Sequence, residues 1–320
     1  MRSMPPCPLP VTRATPVKQI EPWAERLPSA PTACDMNDDS VLEALRQGRF
    51  LNIAHRGARS IAPENTLAAA AAAFASGADL WELDVSATKD GALVVVHDDT
   101  LDRTSNIADV FPQRCPGRVC DFTLEEIRQL DFGSWFVRTD PFGQVRAGVV
   151  SKTACERFVG IQAPTLLEAL AFTRDTGRAV NIEIKDQRST PHRGSIVRKV
   201  VSAVESLAMA DRVIISSFHH GYLEQVRALS SSMICGVLTS RGMRSVQASL
   251  LRLAPATYHP RLTAIDADQL EALSEAGHHV LIWVANDRTT MIRLREHGAS
   301  GLFTDFPQVL SELLNAYRAH

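Results

Sequence analysis

A chain of 320 residues with 34 lysines and arginines against 36 aspartates and glutamates carries a formal net charge of −2, so it lacks the positive field of a general nucleic-acid binder. A hydrophobic share of 45% supports a full core, yet no apolar run approaches the roughly 20 residues needed to span a bilayer. The six cysteines include no CxxC and read as reduced thiols; with no continuous apolar h-region over Met1 to Pro31, the expected location is the cytoplasm.

Residues 1 to 36 are proline-rich and lack helical or strand periodicity, so they read as an extended arm, with Met36 an alternative start. Residues 37 to 320 read as the folded part. Ser40-Val41-Leu42-Glu43 matches a capping box, and the helix it opens, ending near Gly48, is expected to cover the bottom of the fold. Leu51 to Ala54 reads as a short strand that ends on His55-Arg56-Gly57. Pro63-Glu64-Asn65-Thr66 then opens an alanine-rich helix that stops at Gly77. In Leu80-Trp81-Glu82-Leu83-Asp84-Val85 the period-2 alternation of a strand puts Glu82 and Asp84 on one face and the apolar residues on the other. After the Asp90-Gly91 turn, Leu93 to Val96 forms an apolar run ending on His97-Asp98, either a hairpin extension or a third strand.

Asp98 to about Gln162 offers no parallel-strand candidate and reads as an insertion, with a second capping box at Thr123-Leu124-Glu125-Glu126. Its cluster Phe132-Gly133-Ser134-Trp135-Phe136 is expected either to tune substrate choice as a wall or lid, or to form the insertion's own small core. Cys115 and Cys120 are near enough in sequence to pair or share a metal but read as free. Thr165-Leu166-Leu167-Glu168 caps the next helix, and Ala179 to Lys185 is a strand on which Glu183 and Lys185 share a face. Val213 to Phe218, Ile234 to Thr239, a weaker strand near Thr263 to Ile265, Val280 to Val284 and Gly301 to Thr304 follow. Helical patterns such as Asp266 to Ala276 and Asp287 to Glu296 separate them. The alternation predicts a TIM-type (β/α)8 barrel, which needs roughly 250 residues, with a small insertion after the early strands. The strand candidates exceed the eight of such a barrel by one.

The ionisable residues fall at the ends of these runs, where such a barrel places its chemistry. Carboxylates crowded into a barrel mouth repel one another and call for a shared proton or a cation. Glu82, Asp84 and Glu183 against Arg56 and Lys185 leave three acids for two bases, so one hard divalent ion, Mg²⁺ or Ca²⁺, balances the site better than ion pairs alone. His55 and His97, with ordinary pKa values near about 6.5, can exchange protons around neutrality. Arg56 and Lys185 can hold phosphate oxygens, so the set points to phosphoester chemistry. His219, His220 and His259 have no partner legible in the sequence.

HRG at 55 to 57, PENT at 63 to 66, ELD at 82 to 84 and HDDTLDRT at 97 to 104 resemble the glycerophosphodiester phosphodiesterase family. EIK at 183 to 185, SF at 217 to 218, WVAN at 283 to 286 and TDFP at 304 to 307 extend the resemblance, in order, from Leu51 to the C-terminus. It implies hydrolysis of a small-molecule glycerophosphodiester to glycerol 3-phosphate and an alcohol. His55 and His97 would be general acid and base, and Glu82, Asp84 and Glu183 metal ligands. Arg56, Glu64, Asn65, Lys185, Phe218 and Trp283 would bind substrate. The insertion and its aromatic cluster also resemble that family's. Gln162-Ala163 stands where an acid and an aliphatic are common, which leaves the headgroup open, with a lysophospholipid or a sugar phosphodiester as alternatives. A non-catalytic barrel would be expected to lose a histidine or an acid, and this chain keeps them all. Oligomeric state is not legible.

Overall fold

The computed structural model describes residues 40–318; the arm expected over residues 1 to 36 lies outside them. One sheet is built from β1 (Leu51–Ala54), β2 (Leu80–Ala87), β3 (Leu93–Val95), β4 (Ala179–Ile184), β5 (Val213–Ser217), β6 (Ile234–Thr239), β7 (Thr257–Pro260), β8 (His279–Ile282) and β9 (Gly301–Thr304). The strands run β1-β9-β8-β7-β6-β5-β4-β2-β3, and a further pairing of β1 with β2 closes the ring. All neighbours are parallel except β2 and β3, an antiparallel pair with Val85 opposite Val95. Eight parallel strands therefore form a closed TIM-type barrel. The surplus candidate, β3, is the hairpin extension of β2.

Parallel strands must be joined by crossovers, and helices supply them on the outside. The signals that start them are local. Thr66 Oγ1 accepts from Ala69 N–H, Thr165 and Glu168 form a complete capping box, and Asp266 and Asp287 cap the helices Ala267–Glu275 and Arg288–Glu296. Trp81, Leu83 and Val85 point outward into the layer between sheet and helices. The opposite row of β2 points into the barrel, with Leu80 lowest and Glu82 and Asp84 above it. Leu80 meets Leu51, Ile53, Ile214, Leu281 and Phe303 there, and Val41, Ala44 and Leu45 of the helix Val41–Arg46 plug this end as expected. With the lower end filled, the open cavity and its charges lie at the strands' C-terminal ends.

One expectation is corrected, and one choice left open by the sequence is decided. The weak strand placed near Thr263 to Ile265 is instead β7, Thr257–Pro260, and Leu262–Ala264 is a single 3-10 turn. Pro260 has no N–H to donate, but as the last residue of β7 it keeps its place in the ladder by accepting from Trp283 N–H at 3.1 Å. The aromatic cluster of the insertion is a core and not a wall of the cavity. Trp135 is only 6% exposed, packs with Phe136 and Phe158 against Ala62 and Ala69, and donates through Nε1 to Phe132 O at 2.9 Å. Residues 98 to 162 contribute short helices and no strand, and a second cluster around Phe122, Leu130 and Phe132 packs them under β3.

Candidate active site

Where β1 ends, the chain turns sharply through Arg56 (φ 55°) and Gly57 (φ 81°). A Cβ at Gly57 would lie 2.6 Å from the Cβ of Ala69 and 2.7 Å from its backbone carbon, so only glycine allows the turn to press against the following helix. The turn aims His55 and Arg56 inward. Nδ1 of His55 lies 2.7 Å from Oδ1 of Asp305, the residue after β9, and Asn286 clasps that carboxylate by donating from Nδ2 at 2.7 Å. Burial lowers the His55 pKa below its ordinary 6.5 although the Asp305 carboxylate opposes the shift. His55 is therefore neutral at pH 7, and Asp305, whose burial is outweighed by His55 and Arg59, is held at about 2.

Arg56 ties this turn to the acids of β2. Its backbone N–H donates to Glu82 Oε2 at 2.8 Å, its guanidinium donates to Glu64 Oε1 at 2.9 Å, and its Nε lies 3.5 Å from Asp84 Oδ2. Asn65, also in the left-handed region at φ 58°, holds Asp84 from both sides: Nδ2 donates to Oδ2 at 2.9 Å and Oδ1 accepts from its backbone N–H at 3.2 Å. Lys185 approaches Glu183 at 2.9 Å and Asp84 at 3.3 Å.

Glu82, Asp84 and Glu183 converge, each offering an oxygen within 4.8 Å of the others. Burial and the neighbouring Asp84 and Glu183 charges push the Glu82 carboxyl well above the carboxylate range, and burial with Asp84 raises Glu183 as well. Asp84 goes the other way, because Lys185 and Arg56 overcome its burial. Its Oδ1 is buried and makes no hydrogen bond, with the Lys185 ammonium 3.3 Å away. Three carboxylates that converge within 4.8 Å, two of them pushed up by burial and by their neighbours' charge, make an all-oxygen cluster that fits a hard divalent cation.

His97 follows β3, where Val96 N–H donates to Asp84 O at 3.0 Å and sets the hairpin beside the acids. Nδ1 of His97 lies 2.5 Å from Asp98 Oδ1. Asp98 in turn takes a hydrogen bond from Arg103 Nε, and the same guanidinium donates to Glu64 at 2.6 and 3.2 Å. Glu64, reached by Arg56, Arg59 and Arg103, is held at about 2 despite its burial.

A cavity of about 560 Å³, counting space open to solvent, lies between the two histidines. His55, Arg56, Glu82, His97, Glu183, Phe218 and Trp283 line it, joined by Asn181, Leu238 and Phe303. Phe218 stands edge-on to Trp283, ring centres 5.6 Å apart. Asp84, Lys185, Glu64 and Asn65 stand behind this wall and touch the residues that form it. Sequence reasoning did not single out Asp305, Asp98, Arg103 or Asn181. Asp305 lies within TDFP and Asp98 and Arg103 within HDDTLDRT, and a carboxylate directly beyond a strand end was the available signal. His219, His220 and His259 do not line the cavity. His219 packs on Tyr222, His220 bonds Ser249 and Leu238 O, and buried His259 bonds Thr257 Oγ1 at 2.8 Å. Among the described residues no helix is long and apolar enough to cross a membrane.

The model of the glycerophosphoryl diester phosphodiesterase family matches residues 55–309. A glycerophosphodiester phosphodiesterase of Caldanaerobacter subterraneus subsp. tengcongensis is 36% identical over 266 residues, covering 83% of this chain and 98% of that protein. One from Bacillus altitudinis is 32% identical over 257 residues, 79% of this chain and 94% of its own. Among solved structures, an Oleispira antarctica phosphodiesterase in complex with the product sn-glycerol-3-phosphate superposes with a TM-score of 0.66 at 27% identity, covering 82% of this chain and 96% of that one. A structure from Silicibacter pomeroyi, at 24% identity and a TM-score of 0.68 over 83% of this chain and 93% of its own, shares the fold.

Proposed function

The chain belongs to the glycerophosphoryl diester phosphodiesterase family, and from that premise we propose that it hydrolyses glycerophosphodiesters to glycerol 3-phosphate and an alcohol. The observation that carries this reading is the pair of carboxylate-held histidines facing one cavity above three convergent acids. The product bound by the Oleispira antarctica relative supports glycerol 3-phosphate as the product here.

Glu82, Asp84 and Glu183 would hold one divalent ion, Mg²⁺ or Ca²⁺, which when bound supplies positive charge to the phosphate. Arg56, which lines the cavity, holds non-bridging oxygens and meets the charge that builds in the transition state, and Lys185, behind the wall on Glu183 and Asp84, adds its charge to the same side. Both histidines have Nδ1 committed to a carboxylate, which leaves Nε2 for chemistry. His55, kept neutral by burial, accepts the proton of the attacking oxygen. His97, steadied by Asp98, gives its proton to the leaving alcohol. Phe218 and Trp283 wall the organic part of the substrate, and because Phe218 is 45% exposed at the mouth, a lysophospholipid belongs in the panel of substrates tested. Cytoplasmic location is supported by the unpaired Cys115, Cys120, Cys155 and Cys235.

Turnover of a panel of glycerophosphodiesters, with and without chelator, tests the reading. Replacing Glu82, Asp84 or Glu183 by Ala should weaken metal affinity and activity together, with partial rescue by excess metal. His55→Ala and His97→Ala should keep metal binding and slow the reaction by about 10²- to 10⁴-fold, and a better leaving group should rescue only His97→Ala. Full activity after thorough chelation, or near-wild-type turnover of either histidine variant, would overturn it.

A further inference from the structure

Asn181 is the polar residue of the cavity wall that the mechanism above does not use. It points inward from β4, one inward step below Glu183, and its backbone is paired with Glu82 on β2 and Ile214 on β5. The residue is 1% exposed. Its Nδ2 donates to Ser216 Oγ at 2.9 Å. Its Oδ1 is buried and has no hydrogen-bond partner. A buried amide oxygen without a donor loses its hydration for nothing in return, unless a ligand brings the missing O–H or N–H.

We propose that Asn181 Oδ1 is the acceptor for one hydroxyl of the substrate's glycerol moiety, and that it makes the enzyme select a glycerol ester over esters lacking that hydroxyl. The proposal rests on the activity inferred above. The chemistry of the candidate ligands narrows the choice. Phosphate oxygens are anionic acceptors and have nothing to donate to an amide oxygen, whereas a glycerol hydroxyl donates and also accepts. Phe303, Leu238 and Trp283 on the same wall are apolar, and Arg56 and the histidines are committed to carboxylates or to the reacting oxygens. Glu82 and Glu183 on the same wall are taken by the cation in the reading above, which leaves Asn181 Oδ1 as the neutral acceptor, and a buried acceptor discriminates strongly against a substrate that leaves it unpaired. Asn181 is paired with Glu82 across β2 and β4, so a hydroxyl bound at Oδ1 would sit beside the proposed cation site and its recognition should show in the rate as well as in binding.

The test compares one glycerophosphodiester with its two monodeoxy analogues, each lacking one glycerol hydroxyl, using the full chain. Asn181→Leu should lower kcat/KM for the parent substrate by roughly 10- to 100-fold, and should lower it little further for one of the two analogues. Ser216→Ala, which releases the amide to turn over, should lose part of the same discrimination without a cavity large enough to disturb the barrel. Equal losses on all three substrates would mean that Asn181 orders a water or supports the fold, and would overturn the proposal. So would an Asn181→Leu enzyme that keeps its full preference for the parent. If the wild-type chain turns over none of these diesters, the activity reading fails. Calorimetric binding of sn-glycerol 3-phosphate against its deoxy analogues then still tests Asn181, because wild type should discriminate and Asn181→Leu should not.

Discussion

His55 and His97 come to the cavity by different routes, one from the end of a barrel strand and one from a hairpin, yet each is held at Nδ1 by an aspartate. Removing the aspartate separates orientation from titration. In Asp305→Asn, His55 loses the partner that raises its pKa and keeps the burial that lowers it. A base must be unprotonated, so activity is lost as pH falls through that pKa. The acid limb of kcat/KM in Asp305→Asn should therefore move to lower pH while the plateau falls, by about 10²-fold or more. A limb that moves upward would contradict this arrangement. Arg103 spans Asp98 and Glu64, so it supports His97 on one side and the Arg56 clamp on the other. Arg103→Ala should depress kcat and raise KM together, Asp98→Asn should act mainly on kcat, and the double variant should lose less than the product of the single losses. The acids of β2 and β4 were legible from the two-residue period of one strand, and the histidines from their places at the ends of short apolar runs. Asp305 was not, since its partner lies 250 residues away and only closure of the barrel brings them together.

At the level of elements, what the sequence hid was tertiary in origin. The run Leu93–Val95 has the apolar content of a barrel strand, and its antiparallel pairing with β2 is decided by the short turn at Asp90-Gly91, which leaves no length for a crossover. β7 escaped notice because Thr257-Tyr258-His259-Pro260 lacks an aliphatic run. His259 lies inside the barrel, where its ring fills space that a side chain at position 236 would need: a Cβ there would stand 2.4 Å from Cε1 of His259. Gly236→Ala should therefore destabilise the barrel although it lies outside the catalytic set, and a thermal melt unchanged within error would refute this packing. The Trp135 core carries a similar prediction. Trp135→Ala should cost about 3–5 kcal/mol of stability and leave the ranking of headgroups as it was, as melting curves and a substrate panel can establish together.

For the molecule as a whole, the three acids store a conflict that the metal-free fold must bear. Glu82 and Glu183 have folded-state pKa values above those of the unfolded chain, so the native state binds more protons over the interval between them. The stability they contribute is complete below the unfolded value near 4.5 and is lost as pH rises through the folded values. In chelator, the melting temperature should fall with rising pH. Saturating Mg²⁺ or Ca²⁺ should abolish that fall by favouring the ionised acids, and Glu82→Gln should flatten the metal-free curve and remove most of the metal-induced rise. A metal-free melting temperature that climbs over the same interval would show that the acids are not in conflict.

β1 pairs with β9 as well as with β2, and its pairing with β9 seats His55 against Asp305. The proposed base thus belongs to the first of the described strands and its partner to the stretch that follows the last of them. A nascent chain still attached to the ribosome, with β1 through β8 already out, carries both histidines and all three acids but has no carboxylate to aim the base. Hydrolysis should therefore switch on late and abruptly during synthesis, and a chain cut short of residue 305 should be inert even where its helices and strands have formed.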